Sequence, residues 1–576
     1  MSNHERSYDV VVTGGGLAGL SIARQLALEL PDVTVAVIDK QLRPLPDAAW
    51  KVGESTVEFG AHYLADHLQL LDYFETEQLP KLGLRYFYGD PHGPFENRPE
   101  LGLSEFAPVR SYQIDRGKLE NDMREMLASS GVPMFEGCSV RDVELAPGAD
   151  EHAVHFVDSD RQPHVFRCRW LIDASGRRQL IQRKLGLRKP SRGQNCSASW
   201  FRLAGRWDVN KLASETATAW RDRVPGGMRY NSTNHICGAG YWVWFIPLST
   251  GSTSVGIVTL EEIHPFEEYN TFERSIEWLE RNEPAVARYI RGQEPLDFRV
   301  LKQYSYSSER VFSSDRWACV GEAGVFSDPY YSPGTDMIGV ANNLVVDMIR
   351  RDRQGRLTDE TVEEYSRYLI GLSDLLTATI QRGYQYLGDE TVGLMKGVWD
   401  YTAAWGYQCP QLFNRIFISE EKKEAIRNAT PASFFLLANS AQKLIEDWFK
   451  VRKEKGGRLT YEFFDYLTMP WLSQFRLANL RKIDDLQELA GQHATNMHVF
   501  QQLAQSMFLL AIEDVYPDQL RRLDNVNWLN SWKLVLDPEQ WERSGMFEPF
   551  TAGDFRPVHS ELRAMLMVKE RVEIGA

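Results

Sequence analysis

Three glycines and one acid carry the first chemistry this sequence can do. In Tyr8-Asp-Val-Val-Val-Thr-Gly14-Gly15-Gly16-Leu17-Ala18-Gly19, an apolar run ends in G-x-G-x-x-G, and a helical pattern opens with Leu20, Ile22, Ala23 and Leu26. Gly14 permits a tight turn, Gly16 lets the backbone approach a pyrophosphate, and Gly19 lets helix pack on strand. Leu17 and Ala18 then open the helix N-terminus that attracts the phosphates. A second apolar run over 33–38 ends in Asp39, twenty residues past Gly19, where an acid suits a ribose 2′-hydroxyl. Together these residues predict a dinucleotide site.

The second signal is Trp242-Val-Trp244-Phe-Ile246-Pro247. In a strand, residues two apart share a face, so both indoles line one wall. The same pattern fits the plain interior of a sheet. Metal chemistry has no comparable signal: His62 and His67 are five apart, wrong for one helical face, and no His/Cys/Asp cluster has ligand spacing.

These residues need a scaffold, and the patterning predicts one. Residues 1 to about 45 form a first βαβ unit. An excursion to about 130 carries Lys51-Val-Gly-Glu-Ser-Thr56, a strand over 84–88 and a helix over 117–129. Strands over 153–156 and 165–172 lead to Asp173-Ala-Ser-Gly176. Alternating runs at 197–203, 241–246 and 252–259 predict an inserted antiparallel sheet over about 195–300. The chain then returns to the nucleotide fold at Trp317-Ala-Cys-Val-Gly321-Glu322-Ala323-Gly324, with a helix over 335–351. That late return favours FAD over NAD, because a second strand and helix are what hold a flavin. The helix starting near Gly334-Thr335-Asp336 turns its N–H groups and positive dipole end toward an anionic reduced ring. The fold class is therefore α/β: a doubly wound FAD module over 1–350 with the inserted sheet. An aromatic, mostly helical region over 351–576, broken at Lys453-Glu-Lys-Gly-Gly-Arg458, closes over a substrate site.

Bulk properties exclude other classes. A net charge of −14 and a pI near 5.5 argue against nucleic acid. No apolar run reaches the ~18 residues of a membrane span. Six cysteines lack C-x-x-C spacing, and the first strand begins within ten residues of Met1, leaving no room for a signal peptide. A reduced, cytoplasmic setting is expected.

The glycine turn, Val52-Gly53-Glu54-Ser55, Asp173-Ala-Ser-Gly176, the tryptophan run and Phe326-x-Asp328-Pro329-x-x-Ser332-x-Gly334 together resemble the flavin-dependent halogenases, over about residues 5–350. These are a branch of the para-hydroxybenzoate-hydroxylase-like flavoproteins, and Trp-x-Trp-x-Ile-Pro is their distinguishing signature. The resemblance implies FAD reduced by a separate flavin reductase, since no second glycine motif for NAD(P)H is present. It also implies oxidation of chloride or bromide to hypohalous acid, which halogenates an aromatic held beyond the flavin.

The implied roles are specific. Lys81 holds or captures the halogen electrophile, which needs an amine desolvated enough for its pKa to fall; arginine would stay charged. Lys51 is the competing lysine. Trp242, Trp244, Ile246 and Pro247 form a partition between flavin and substrate. Glu54 and Ser55 lie beside the flavin ring, Arg116 near the ribityl or phosphate side, and Asp173, Gly321 and Glu322 at the second cofactor segment. Ser332, Gly334 and Thr335 bind halide.

Three positions depart from the family. Glu322 stands where the family has Asp, and Tyr331 where tryptophan halogenases carry Glu. Pro333 removes an N–H from the halide loop, leaving Gly334 and Thr335 to bind the ion. The expected substrate is thus an electron-rich, phenol-like aromatic, free or tethered to an acyl carrier protein. The alternatives are a hydroxylase or dehydrogenase/reductase of the same fold, or a flavin-binding partner without catalysis.

Overall fold

The structure is a computed structural model and describes residues 6–46, 51–148, 151–429, 434–523, 526, 529–549 and 553–569. Its first sheet is parallel at the centre. Arg6–Thr13 lies between Pro163–Asp173 and Val35–Ile38, with Trp317–Cys319 beyond the former and Met134–Phe135 beyond the latter. Val10, Val11 and Val12 are 0% exposed, as expected when both faces of a parallel sheet are covered. Val10 and Val12 join the core of the helices Leu17–Glu29 and Gly334–Arg353. Val11 faces the opposite core with Val154 and Ile181.

The second sheet has eight strands in the order Asp297–Leu301, Cys196–Ala204, Ser252–Leu260, Tyr241–Pro247, Thr233–Gly238, Leu84–Phe87, Glu100–Leu101, Phe463–Phe464. The strands expected over about 195–300 pair antiparallel with one another, and the sheet continues beyond them. Strands from the early excursion and the C-terminal region extend it, and Thr233–Gly238 runs parallel to Leu84–Phe87. Alternation reveals that a strand exists, but not which distant strand it pairs with.

Tyr241–Pro247 does alternate. Trp242, Trp244 and Ile246 point into the main core, while Tyr241, Val243 and Phe245 point into the core beneath the sheet. Gly256, the cross-strand partner of Trp244, makes room for the indole; a Cβ there would fall 2.2 Å from the ring.

The C-terminal region is built on Asp359–Arg382, Glu390–Ala403, Phe434–Lys455 and Leu486–Val515. Phe434–Lys455 ends at the expected polar break, where Gly456 takes a φ of +78°. The histidine reading also needs correction. A π-helical turn, Tyr63–His67, adds one residue per turn and brings His62 and His67 onto one face, ring centroids 4.9 Å apart. His62 instead pairs with Asp66 at 2.5 Å, and no metal-binding cluster occurs among the described residues. All six cysteines are buried and unpaired, and no described helix is long and apolar enough to cross a membrane.

Candidate active site

A cavity of ≈ 490 Å³ opens where the parallel sheet meets the second sheet. Its floor is the glycine turn. Gly14 has φ +115°, and a Cβ on it would sit 2.3 Å from the Ala174 carbonyl oxygen; one on Gly19 would sit 1.9 Å from the Gly14 oxygen. Those two glycines serve the fold, and Gly19 does not line the cavity. Gly16, Leu17 and Ala18 do line it, and a Cβ on Gly16 would meet nothing within 4 Å. Gly16 caps Leu17–Glu29 without a side-chain hydrogen bond, so no side-chain oxygen occupies the positive end of the helix.

Asp39 lines the same cavity, oriented by Arg124, which also donates to the Gly15 carbonyl at 2.7 Å and to Glu136 at 2.9 Å. Arg116 lines it while holding the Val52 carbonyl at 2.9 Å and Glu120 at 2.6 Å. Gly321 and Glu322 form part of the far wall, where Lys51, Arg116 and Arg177 bring positive charge near the Glu322 carboxyl. Lys51 belongs to this cavity alone, and its amine is ion-paired with Glu120.

Glu54 depends on a residue the sequence reading missed. Arg202, 1% exposed in the middle of Cys196–Ala204, donates to Glu54 at 2.9 Å, to Asp297 and to the Lys51 carbonyl, clamping the 51–55 segment to the sheet. Burial pushes the Glu54 carboxyl up, and Arg202 opposes the rise. A lone arginine inside an apolar strand is the signal that was available, since a charge is rarely buried without partners. Arg202→Met leaves two buried carboxylates uncompensated. It is expected to cost about 3–5 kcal/mol and to weaken flavin retention, read by thermal melting with and without FAD. An unchanged melting point would contradict the clamp.

Two expected cofactor or partition residues lie elsewhere. Asp173 does not line the cavity; its carboxylate accepts from the Ser175 and Ile181 N–H groups at 2.9 Å each, holding the 173–181 turn from behind. Pro247 also lies off the cavity, at the end of its strand. Trp242, Trp244 and Ile246 line the first cavity. The Trp242 indole donates to the Tyr384 hydroxyl at 2.8 Å and the Trp244 indole to Ser254 at 3.1 Å, with the rings 5.6 Å apart.

The division between the cavities falls on the loop before Gly334–Arg353. Ser332, Gly334 and Thr335 line the first cavity; Tyr331, Pro333 and Asp336 line the second. Ser332 takes φ +58°, a conformation costly outside glycine, and its hydroxyl donates to Ser55 Oγ at 3.2 Å. No side chain caps the helix that follows, and a Cβ on Gly334 would meet only open space.

Lys81 completes the division. It is 4% exposed, lines the second cavity, and donates to Ser55 Oγ at 2.8 Å and to the Thr56 carbonyl at 2.6 Å. Ser55 itself lines the first cavity and shares a 2.7 Å hydrogen bond with Thr233. Burial drives the Lys81 amine down to about 7, against the opposing pull of Glu58 and Asp336. The second cavity measures ≈ 130 Å³ and is walled by Phe59, Trp399, Tyr401, Trp405, Phe434 and Tyr466. That is close to the ~150 Å³ of an apolar cavity known to hold benzene.

An uncapped helix behind a glycine whose Cβ would meet empty space, with basic side chains around it, suits the pyrophosphate and flavin of FAD. Comparison with known proteins agrees. Residues 7–261 match the family model described as an FAD binding domain. Flavin-dependent halogenase chlA of Dictyostelium discoideum is 26% identical over 421 residues, 67% of each chain. The 1H-pyrrole-2-carbonyl-[peptidyl-carrier protein] chlorinase of Pseudomonas fluorescens is 28% identical over 357 residues, 58% of this chain and 74% of that one. The chain is similar in sequence to flavin-dependent halogenases over about two thirds of its length. Among solved structures, halogenase PltM shares this fold, with a TM-score of 0.58 at 15% identity, covering 87% of this chain and 92% of that one.

Proposed function

We propose that this protein is an FAD-dependent halogenase of an electron-rich, phenol-like aromatic. Gly16, Leu17, Ala18, Asp39, Arg116, Glu54, Ser55, Gly321 and Glu322 would hold the cofactor, and Ser332, Gly334 and Thr335 the halide. Reduced FAD bound there, with oxygen and halide, supplies hypohalous acid.

The observation that carries the reading is the buried amine of Lys81, bonded to a serine of the cofactor cavity while its own side chain faces a ring-sized one. A neutral amine attacks the halogen of hypohalous acid: an N–X bond forms, the O–X bond breaks, and water leaves. Lys81 thereby holds the electrophile at the wall of the second cavity, out of bulk water. Tyr331, whose hydroxyl donates to Asp400 at 2.8 Å, brings no carboxylate to the cavity. A phenol needs less help than an indole, because its own oxygen activates the ring.

The chlorinase relative, named for a carrier-bound pyrrole, supports a tethered substrate; the net charge of −14 disfavours an acidic carrier and supports a free one. Phe435 lines the second cavity and is 42% exposed, which gives a route in from the surface. With FAD, a separate flavin reductase, oxygen and bromide, the protein is expected to brominate phloroglucinol. Hydrogen peroxide as the sole product, with nothing dependent on bromide, would sink the reading in favour of an uncoupled oxidase.

A further inference from the structure

The second cavity holds a carboxylic acid that halogen capture by Lys81 leaves without a task. Asp336 stands on the first turn of Gly334–Arg353 and lines the cavity with Lys81 and Glu58. Its Oδ1 is shut off from solvent and has no hydrogen-bond partner. An ionised carboxylate with an unpartnered oxygen in such a place is costly, so the group rests as the neutral acid until something in the cavity meets it.

The other carboxylates of the cavity are already engaged. Glu58 is ion-paired with Arg476 at 2.5 Å. Asp400 accepts from Lys396, from Tyr331 at 2.8 Å and from Gln442 at 2.9 Å. The groups acting on Asp336 are then few. Glu58 comes from Glu58–His62, Lys81 from Leu79–Lys81, and Cys409 from Cys409–Phe413, with Arg476 of Pro470–Asn479 balancing Glu58. Burial holds Asp336 up at about 8; a backbone hydrogen bond from Gly60 opposes the rise, Glu58 adds to it, and Lys81 opposes it. The charges that change near neutrality in this set are those of Asp336 and Lys81.

We propose that Asp336 is the acid–base group of the aromatic substitution, protonating the halogenated amine of Lys81 and taking back the proton that the ring must lose. This rests on the halogenase reading. In balance, the Asp336 acid gives its proton to the N-halo nitrogen, leaving a carboxylate and a cationic N–X group. A ring carbon attacks X, and the N–X electron pair stays on nitrogen, returning Lys81 as the neutral amine. The cationic ring then passes its proton to the Asp336 carboxylate, which restores aromaticity and the acid. One proton circulates and none is consumed.

The test uses the full FAD-loaded chain with reductase, oxygen, bromide and phloroglucinol, comparing wild type with Asp336→Asn and Asp336→Glu. Asp336→Asn is expected to lower bromination by about 10²-fold or more, and Asp336→Glu to recover part of it. Lys81 must be neutral and Asp336 protonated, so wild-type rate falls below about pH 7 and above about pH 8. Asp336→Asn should keep the lower limb and lose the upper. Ring-deuterated phloroglucinol should react at the wild-type rate with the native enzyme and visibly slower with Asp336→Asn, where ring deprotonation has lost its base. Bromination by Asp336→Asn within threefold of wild type, or an unaltered pH profile and no isotope effect, would overturn the proposal while leaving the halogenase reading intact. Wild-type protein that gives no bromide-dependent product would overturn both.

Discussion

Lys81→Ala is expected to reduce aromatic halogenation by about 10²–10⁴-fold, the range for loss of a group that acts on the reacting atoms, while flavin oxidation continues. The two readouts separate because the lysine belongs to one cavity and its support to the other. Removing the amine frees Ser55 Oγ and the Thr56 carbonyl. The 54–56 segment keeps the Ile114 N–H to Glu54 carbonyl bond at 2.7 Å and the Thr56 N–H to Tyr112 carbonyl bond at 3.0 Å. The wall of the cofactor cavity therefore survives. Lys81→Arg should rescue little, since a guanidinium stays charged and cannot take up halogen as a neutral nucleophile. Product formation is followed by chromatography and flavin oxidation by stopped-flow absorbance; undiminished product in Lys81→Ala would remove the lysine from its role.

How much of this was legible depends on range. The glycine turn is local chemistry: strand, turn and helix are contiguous, and Gly19 is required by the Gly14 carbonyl, while Gly14 is crowded by Ala174 and Ser175 from a distant strand end. The shared face of Trp242 and Trp244 follows from strand geometry alone. Their place on the wall of the first cavity depends on where Tyr384 and Ser254 arrive from other parts of the chain. The role of Lys81 was implied by resemblance, but Asp336 was hidden in plain view. An Asp on a first helical turn reads as an ordinary helix-start residue, and only folding brings it to the cavity of a lysine 255 residues earlier. The His62 and His67 rings meet for a similar reason: a π-turn is a packing outcome that a 3.6-residue period does not foresee.

One motif also carries two different demands, and a pair of variants separates them. Gly16→Val is expected to give folded protein that retains little flavin. Its backbone, φ −84° and ψ −179°, is extended and open to any residue, and a Cβ meets no protein atom within 4 Å. The added methyls instead occupy the space in front of Leu17–Glu29, where the pyrophosphate would meet the first-turn N–H groups. An insertion that the ligand cannot relieve costs about 1–3 kcal/mol, which is roughly tenfold to a hundredfold in FAD affinity. Gly14→Ala behaves differently, because φ +115° and a Cβ 2.3 Å from the Ala174 oxygen disturb the strand-turn-helix itself. Circular dichroism and visible flavin absorbance on the two proteins distinguish the cases. If Gly16→Val kept its full complement of FAD, nothing of the cofactor would pass in front of that helix. The ≈ 490 Å³ cavity would then need a different occupant.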